Sequence, residues 1–189
     1  MKKCSRQEIK NKVLEAKRLL LHNDQFLLED DLNERTISHK FAEYLQRQFP
    51  DWDVDCEYNR VPRDSHYSHY YHDLEEKFIK KKLGTRKDFS SDAQNNVTYI
   101  DTNGRTVYPD IIIHHRNTDD NLLVIEIKKS SRPDKEVSLD KQKLDEFVGE
   151  PLCYQHGLFL QIPTGSEYLS NWHFDWFSKR IECKTSWGK

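Results

Sequence analysis

No stretch of this 189-residue chain approaches the roughly 18 consecutive apolar residues that a membrane span requires. The opening MKKCSRQEIKNK places no apolar run behind its charges, so a signal peptide is not expected. Cysteine is sparse: Cys4, Cys56, Cys153 and Cys183 form no CxxC pair, and their spacings fit no zinc ribbon. A cytosolic protein with reduced thiols is the resulting expectation. Charge of one sign is also missing. Lys and Arg number 30 against 32 Asp and Glu, a formal net charge of −2, whereas a dedicated nonspecific DNA binder carries a basic excess. Any nucleic-acid surface must then be a local patch, or a partner must supply it. There is no internal repeat, no low-complexity linker and no Gly-rich phosphate loop, and the last argues against a site for a small nucleotide.

What is present is a polar but foldable chain. Charged residues make 33% and aromatics 12%, and disordered chains are poor in aromatics. The length suits one domain with an insertion or extension and a sizeable core. Ile9, Val13, Ala16 and Leu20 recur at helical spacing and predict a helix over residues 5–28. A polar break at Glu29-Asp30-Asp31 precedes a second helix over 33–48, with Ile37, Phe41, Tyr44 and Leu45 on one face and Pro50 ending it.

Residues 53–58 read as a short strand, and 60–105 as an irregular insertion. The insertion holds the run HYSHYYH, the lysine-rich KFIKKKLGTRK and, around Asn103-Gly104, a hairpin signal. His66, His69 and His72 recur every third residue, which on a helix would form a zinc-binding ridge or, with Tyr67, Tyr70 and Tyr71, an interface or base-stacking ridge. Lys77, Lys80, Lys81, Lys82, Arg86 and Lys87 form the one dense basic cluster, either a phosphate-tracking patch or a solubilising helix face. Arg60 follows the first strand and is a candidate bidentate phosphate contact.

Two strongly apolar strands follow, 110–114 and 122–128, and their near-continuous apolar runs mean that both sheet faces are covered. A helix over 138–148 and a buried strand over 154–162 come next. The tail carries Trp172, Phe174, Trp176 and Phe177, read as core packing in preference to an oligomer contact. The order defines an α/β sandwich.

Side chains two apart share a strand face, so Glu126 and Lys128 point the same way at the end of their strand. If the two strands form an antiparallel hairpin, Asp110, directly after Pro109, lies beside Glu126. Two carboxylates held close repel unless a cation separates them. Mg²⁺ takes such hard oxygen ligands and keeps positions for water and phosphate. A nearby lysine can orient the water or stabilise the charge that develops on phosphate. E-x-K alone is a common solvated pair; the flanking pattern of Pro-Asp, strand, turn, strand, Glu-x-Lys and helix is what singles it out.

Pro109-Asp110, followed sixteen residues later by Glu126-Ile127-Lys128, resembles the PD-(D/E)xK nuclease superfamily, the restriction-endonuclease-like proteins. The segments ISHKFAEYL, CEYNR, YPDIIIHH and LLVIEIKKS are similar to small stand-alone bacterial proteins within it. The resemblance covers residues 33–162, interrupted by the insertion. It implies an α-β-β-β-α-β core with a central mixed sheet, spanning 31–170. Residues 1–30 would be an N-terminal helical extension and 171–189 an aromatic tail. It further implies a Mg²⁺- or Mn²⁺-dependent endonuclease leaving 5′-phosphate and 3′-hydroxyl ends. Asp110 and Glu126 would bind the metal, and Lys128 would assist the attacking water. Many members place a Glu on the first core helix at the metal. Glu34, three before Ile37 and seven before Phe41, is the candidate, with a capping box from Asp31 to Glu34 as the structural alternative. Lys141 and Lys143, with Gln142 third, are candidate nucleic-acid contacts on the following helix, otherwise a charged face. His114 shares the parity of Asp110 and is a candidate general base. The expected partner is nucleic acid, DNA in preference to RNA, met as a homodimer or through a targeting protein, and no membrane. The alternative is a catalytically silent binding or assembly subunit of the same fold.

Overall fold

The structure, a computed structural model, describes residues 4–56, 109–150 and 152–179. These belong to one compact unit, interrupted in sequence by residues 60–108. The hairpin at Asn103-Gly104, the histidine and tyrosine run, Arg60, Lys81, Lys82 and the rest of the basic cluster lie outside the described residues.

Helix α1 spans Arg6–Asn23. Ser5 starts it with a capping box: its hydroxyl accepts from the Glu8 N–H at 3.2 Å, and the Glu8 carboxylate accepts from the Ser5 N–H at 2.7 Å. The expected single helix over 5–28 is corrected, because α1 stops at Asn23 and a separate turn, α2, spans Phe26–Glu29. The physical reason lies in Asn23-Asp24, residue types that favour turns over helix interiors. Asp24 caps α1 through its own N–H to the Leu20 carbonyl, and its carboxylate accepts from the Tyr44 hydroxyl.

Helix α3 spans Glu34–Gln48 and begins at Asn33, whose side-chain oxygen accepts from the Thr36 N–H at 2.8 Å. The capping box from Asp31 to Glu34 is therefore not formed, which frees the Glu34 carboxylate for another role. Strand β1 (Asp53–Cys56) pairs antiparallel with β2 (Ile111–His114), and β2 pairs antiparallel with β3 (Asn121–Lys129). Helix α4 (Asp134–Phe147) then crosses over so that β4 (His156–Ile162) runs parallel to β3. The tail closes the sheet as β5 (His173–Ser178), antiparallel to β4. The result is an α/β domain with a five-stranded mixed sheet in the order β1-β2-β3-β4-β5.

Two boundaries differ from expectation. Helix α4 begins at Asp134, earlier than residue 138, because Pro133 takes the cap position and Asp134 and Glu136 suit the positive end of the helix dipole. Strand β4 begins at His156, later than residue 154: Cys153 sits at φ 49° and the Tyr154 N–H closes on the Phe147 carbonyl. Cys153 is also disulfide-bonded, so the expectation of reduced thiols does not hold at that residue.

Both sheet faces are covered, as the apolar runs of β2 and β3 require. One face carries Ile125, Ile127, Leu158 and Leu160 against Ile9, Val13, Phe41 and Leu45 of α1 and α3. Trp172 joins that core at 6% exposure, and Phe174 and Trp176 pack against it, so the tail is core packing. The opposite face meets α4 through Leu144, Phe147 and Phe159. No helix among the described residues is long and apolar enough to cross a membrane.

Two details are testable. A Cβ at Gly157 would stand 3.1 Å from the Phe177 Cβ on β5 and 3.2 Å from the Val148 Cγ1 just past the end of α4. Gly157→Ala is expected to destabilise by about 1–3 kcal/mol in urea unfolding, the usual cost of overpacking. His115 holds the β2–β3 turn with Nδ1 2.8 Å from Asp120 Oδ2 and Nε2 2.9 Å from the Asp51 carbonyl, while its ring stacks on Trp52. Both partner atoms only accept, so both bonds need the doubly protonated ring. Burial opposes that charge, but the Asp51 carbonyl and the Asp120 and Asp53 carboxylates outweigh it and raise the pKa above 6.5. A raised histidine stabilises below its unfolded value and loses that contribution as pH climbs through the folded one. Stability should therefore fall as pH rises above 6.5, and a His115→Gln variant should flatten that slope in thermal melts at several pH values.

Candidate functional site

The antiparallel register pairs Ile111 with Ile125, which carries Asp110 to the level of Glu126 on the face that α4 covers. The Asp110 Oδ2 accepts from the Ile127 N–H at 2.6 Å, so the carboxylate is fixed against the β3 backbone. Glu126 is 1% exposed. Its Oε2 accepts from Lys143 Nζ at 2.9 Å, and its buried Oε1 has no hydrogen-bond partner. Lys128 Nζ lies 2.9 Å from Glu34 Oε1 and 3.0 Å from Asp140 Oδ2. Lys143 Nζ lies 2.9 Å from Asp140 Oδ1. Glu34 also takes the Lys129 N–H at 3.3 Å, and Lys129 turns away to the Asp31 and Leu32 carbonyls, tying the start of α3 to β3.

The end of β3 therefore gathers Glu34, Asp110, Glu126 and Lys128, the set expected from the sequence. Lys143 joins them, with its ammonium turned into the site between Glu126 and Asp140. Lys141 does not join. It pairs with Asp175 and lies 5.1 Å from the Phe159 ring centre. His114 is corrected as a general-base candidate: it ends β2 and binds Asp55 at 2.9 Å. Four residues of strand put it roughly 13 Å from the acids.

Asp140 was not anticipated. It is 6% exposed and holds both lysines. Its signal was available, because it precedes Leu144 by four and Phe147 by seven and so sits on the buried stripe of α4.

The electrostatics follow from enclosure. Burial raises the Glu126 carboxyl well above its ordinary range, and Asp110 and Asp140 add to it against the pull of Lys143. Burial also pushes Asp110 up to about 6, although the Ile127 N–H, Lys143 and Lys128 oppose it. For Lys128 and Lys143 burial works against the charge, yet the surrounding carboxylates win and raise both. With every group ionised, four carboxylates face two ammoniums, an excess of two negative charges. Protonation of both Asp110 and Glu126, or one divalent cation, would settle that excess.

Among the described residues, no three His, Cys, Asp or Glu side chains converge on one metal position. The ammoniums of Lys128 and Lys143 stand between the carboxylates instead. The donor chemistry nonetheless suits a hard divalent ion: carboxylate oxygens, an unpartnered buried Glu126 Oε1 and a double negative excess. Comparison with protein-family models, curated proteins and solved structures finds no match.

Removing one partner from a buried ion pair strands the other charge. Asp140→Asn should therefore cost about 3 kcal/mol in urea unfolding, by loosening two ammoniums at once. Asp175→Asn, which breaks the more exposed pair with Lys141, should cost under about 1 kcal/mol. Equal effects in the two variants would contradict the bridging role of Asp140.

Proposed function

We propose that this chain is a metal-dependent nuclease of the PD-(D/E)xK type, hydrolysing phosphodiester bonds of nucleic acid, DNA in preference to RNA. The observation that carries the reading is the convergence of Asp110, Glu126, Lys128 and Glu34 at one sheet end, around a buried carboxylate oxygen with no partner. The run α3-β1-β2-β3-α4-β4, with three antiparallel strands and a parallel fourth, supports the family resemblance through its order of elements.

In this reading Asp110 and Glu126 hold Mg²⁺ or Mn²⁺ through carboxylate oxygens, with Glu34 close by. The bound ion supplies Lewis-acid polarisation of a phosphoryl oxygen and lowers the pKa of its water. Lys128 is kept charged by Glu34 and Asp140, and so brings a fixed ammonium to orient water and to meet the charge developing on phosphate. The sheet contributes rigidity: β3 is buried along most of its length, so neither Glu126 nor Lys128 can drift in register.

A second reading is a catalytically silent nucleic-acid-binding or assembly subunit of the same fold. The lysine ammoniums lodged between the carboxylates favour it. Activity separates the two. Purified protein with Mn²⁺ is expected to cut one or more of linear duplex, circular duplex and single-stranded DNA, or RNA. Asp110→Ala, Glu126→Ala and Lys128→Ala should each reduce the rate by about 100-fold or more. Wild type and variants equally active, or equally silent on every substrate, would sink the nuclease reading.

A further inference from the structure

The residue that separates the two readings is Lys143. Its ammonium lies 2.9 Å from an oxygen of Glu126 and 2.9 Å from one of Asp140, and so holds the positive place beside Glu126 that an ion bound by Asp110 and Glu126 would take over. We propose that Lys143 is a built-in counter-cation, which holds Glu126 in the metal-free protein and is displaced from it when a divalent ion binds. The proposal rests on the metal reading above and adds to it a competition between the chain's own ammonium and the ion.

Three observations support it. First, a carboxylate buried as deeply as Glu126 needs a positive partner or a proton, and Lys143 is the cation that its Oε2 contacts. Second, the other oxygen, Oε1, is buried and unpartnered, so Glu126 keeps acceptor capacity that one ammonium leaves unused. Third, Lys143 has a second acid within reach. Asp140 lies three residues before it on the same helix and would keep its ion pair while the side chain swings. Lys128 is not equivalent, because its partners are Glu34 and Asp140. The absence of a three-ligand metal group among the described residues is then the expected state of the metal-free site.

The proposal predicts that removing the ammonium strengthens metal binding. Isothermal titration calorimetry with Mn²⁺ should give binding about tenfold tighter for Lys143→Met and Lys143→Gln than for wild type, the equivalent of one partial ion pair. Lys141→Met, on the same helix but paired with Asp175, should bind as wild type does. Saturating Mn²⁺ should also raise the melting temperature of the Lys143 variants more than that of wild type. If a Lys143 variant is unfolded alone, Mn²⁺ should restore its circular dichroism spectrum, because the ion takes over the lost positive charge; failure to restore it overturns the proposal. Equal or weaker Mn²⁺ binding by a folded Lys143 variant, with wild type binding, also overturns it and leaves the nuclease reading standing. No Mn²⁺ binding by any of the chains overturns both.

Discussion

Taking a carboxylate out of water costs several kcal/mol unless a positive charge or a set of donors replaces the solvent. At the end of β3 this chain buries or half-buries four carboxylates, and the surrounding arrangement answers that cost. Asp140 lies between Lys128 and Lys143, so each ammonium serves two acids: Lys128 joins Glu34 to Asp140, and Lys143 joins Glu126 to Asp140. The bridge ties α3, β3 and α4 together across the sheet end. Helices on opposite faces are thereby linked through the polar side chains of one strand, where apolar packing alone would leave them independent.

The geometry depends on register. Because Ile111 pairs with Ile125, the chain enters β2 with Asp110 opposite Glu126. A slip of one residue would turn Asp110 to the other face, toward the apolar core under α1 and α3 and away from Lys143. Register is held by the apolar residues on both faces, since the alternate positions of β2 and β3 feed two different cores. The parallel crossover through α4 then brings Asp140 and Lys143 onto the face that Glu126 occupies. Chemistry and packing are thus set by the same pairing.

Much of this was legible because strand parity is a local property. Asp110, Glu126 and Lys128 could be placed together from alternation and one assumed hairpin, and Glu34 from its helical phase with Ile37 and Phe41. Asp140 was missed because an Asp in a run as charged as DKEVSLDKQKLDEF looks like a solvated face until the phase of Leu144 and Phe147 is applied to it. Lys143 is a candidate by its place on the helix after the Lys128 strand, but local pattern does not distinguish it from Lys141; its turn toward the site depends on a buried acid 17 residues away in sequence. The helix break at Asn23-Asp24 escaped for a similar reason. It is secured by Tyr44 on another helix, a tertiary contact with no trace in local periodicity.

The two ends of the same strands show why chemistry is assigned to one of them. At the β1 start and β2 end, Asp53, Asp55 and Asp120 meet Arg116, His114 and His115, and the burden of Asp55 is met by Arg116 and His114 so well that its carboxyl is lowered despite burial. Each of those carboxylates has a guanidinium or an imidazole nitrogen against it, and the contacts pin a turn. At the other end the acids outnumber the lysines, Asp110 and Glu126 are raised, and the Glu126 Oε1 has neither a hydrogen bond nor an ion pair. A purely structural network gains nothing from that imbalance, because replacing the surplus acid with an apolar side chain of similar volume would relieve it. A surplus that opposes stability when every acid is ionised makes physical sense under the proposal that a further positive group is received there, beside Glu126 and Lys143.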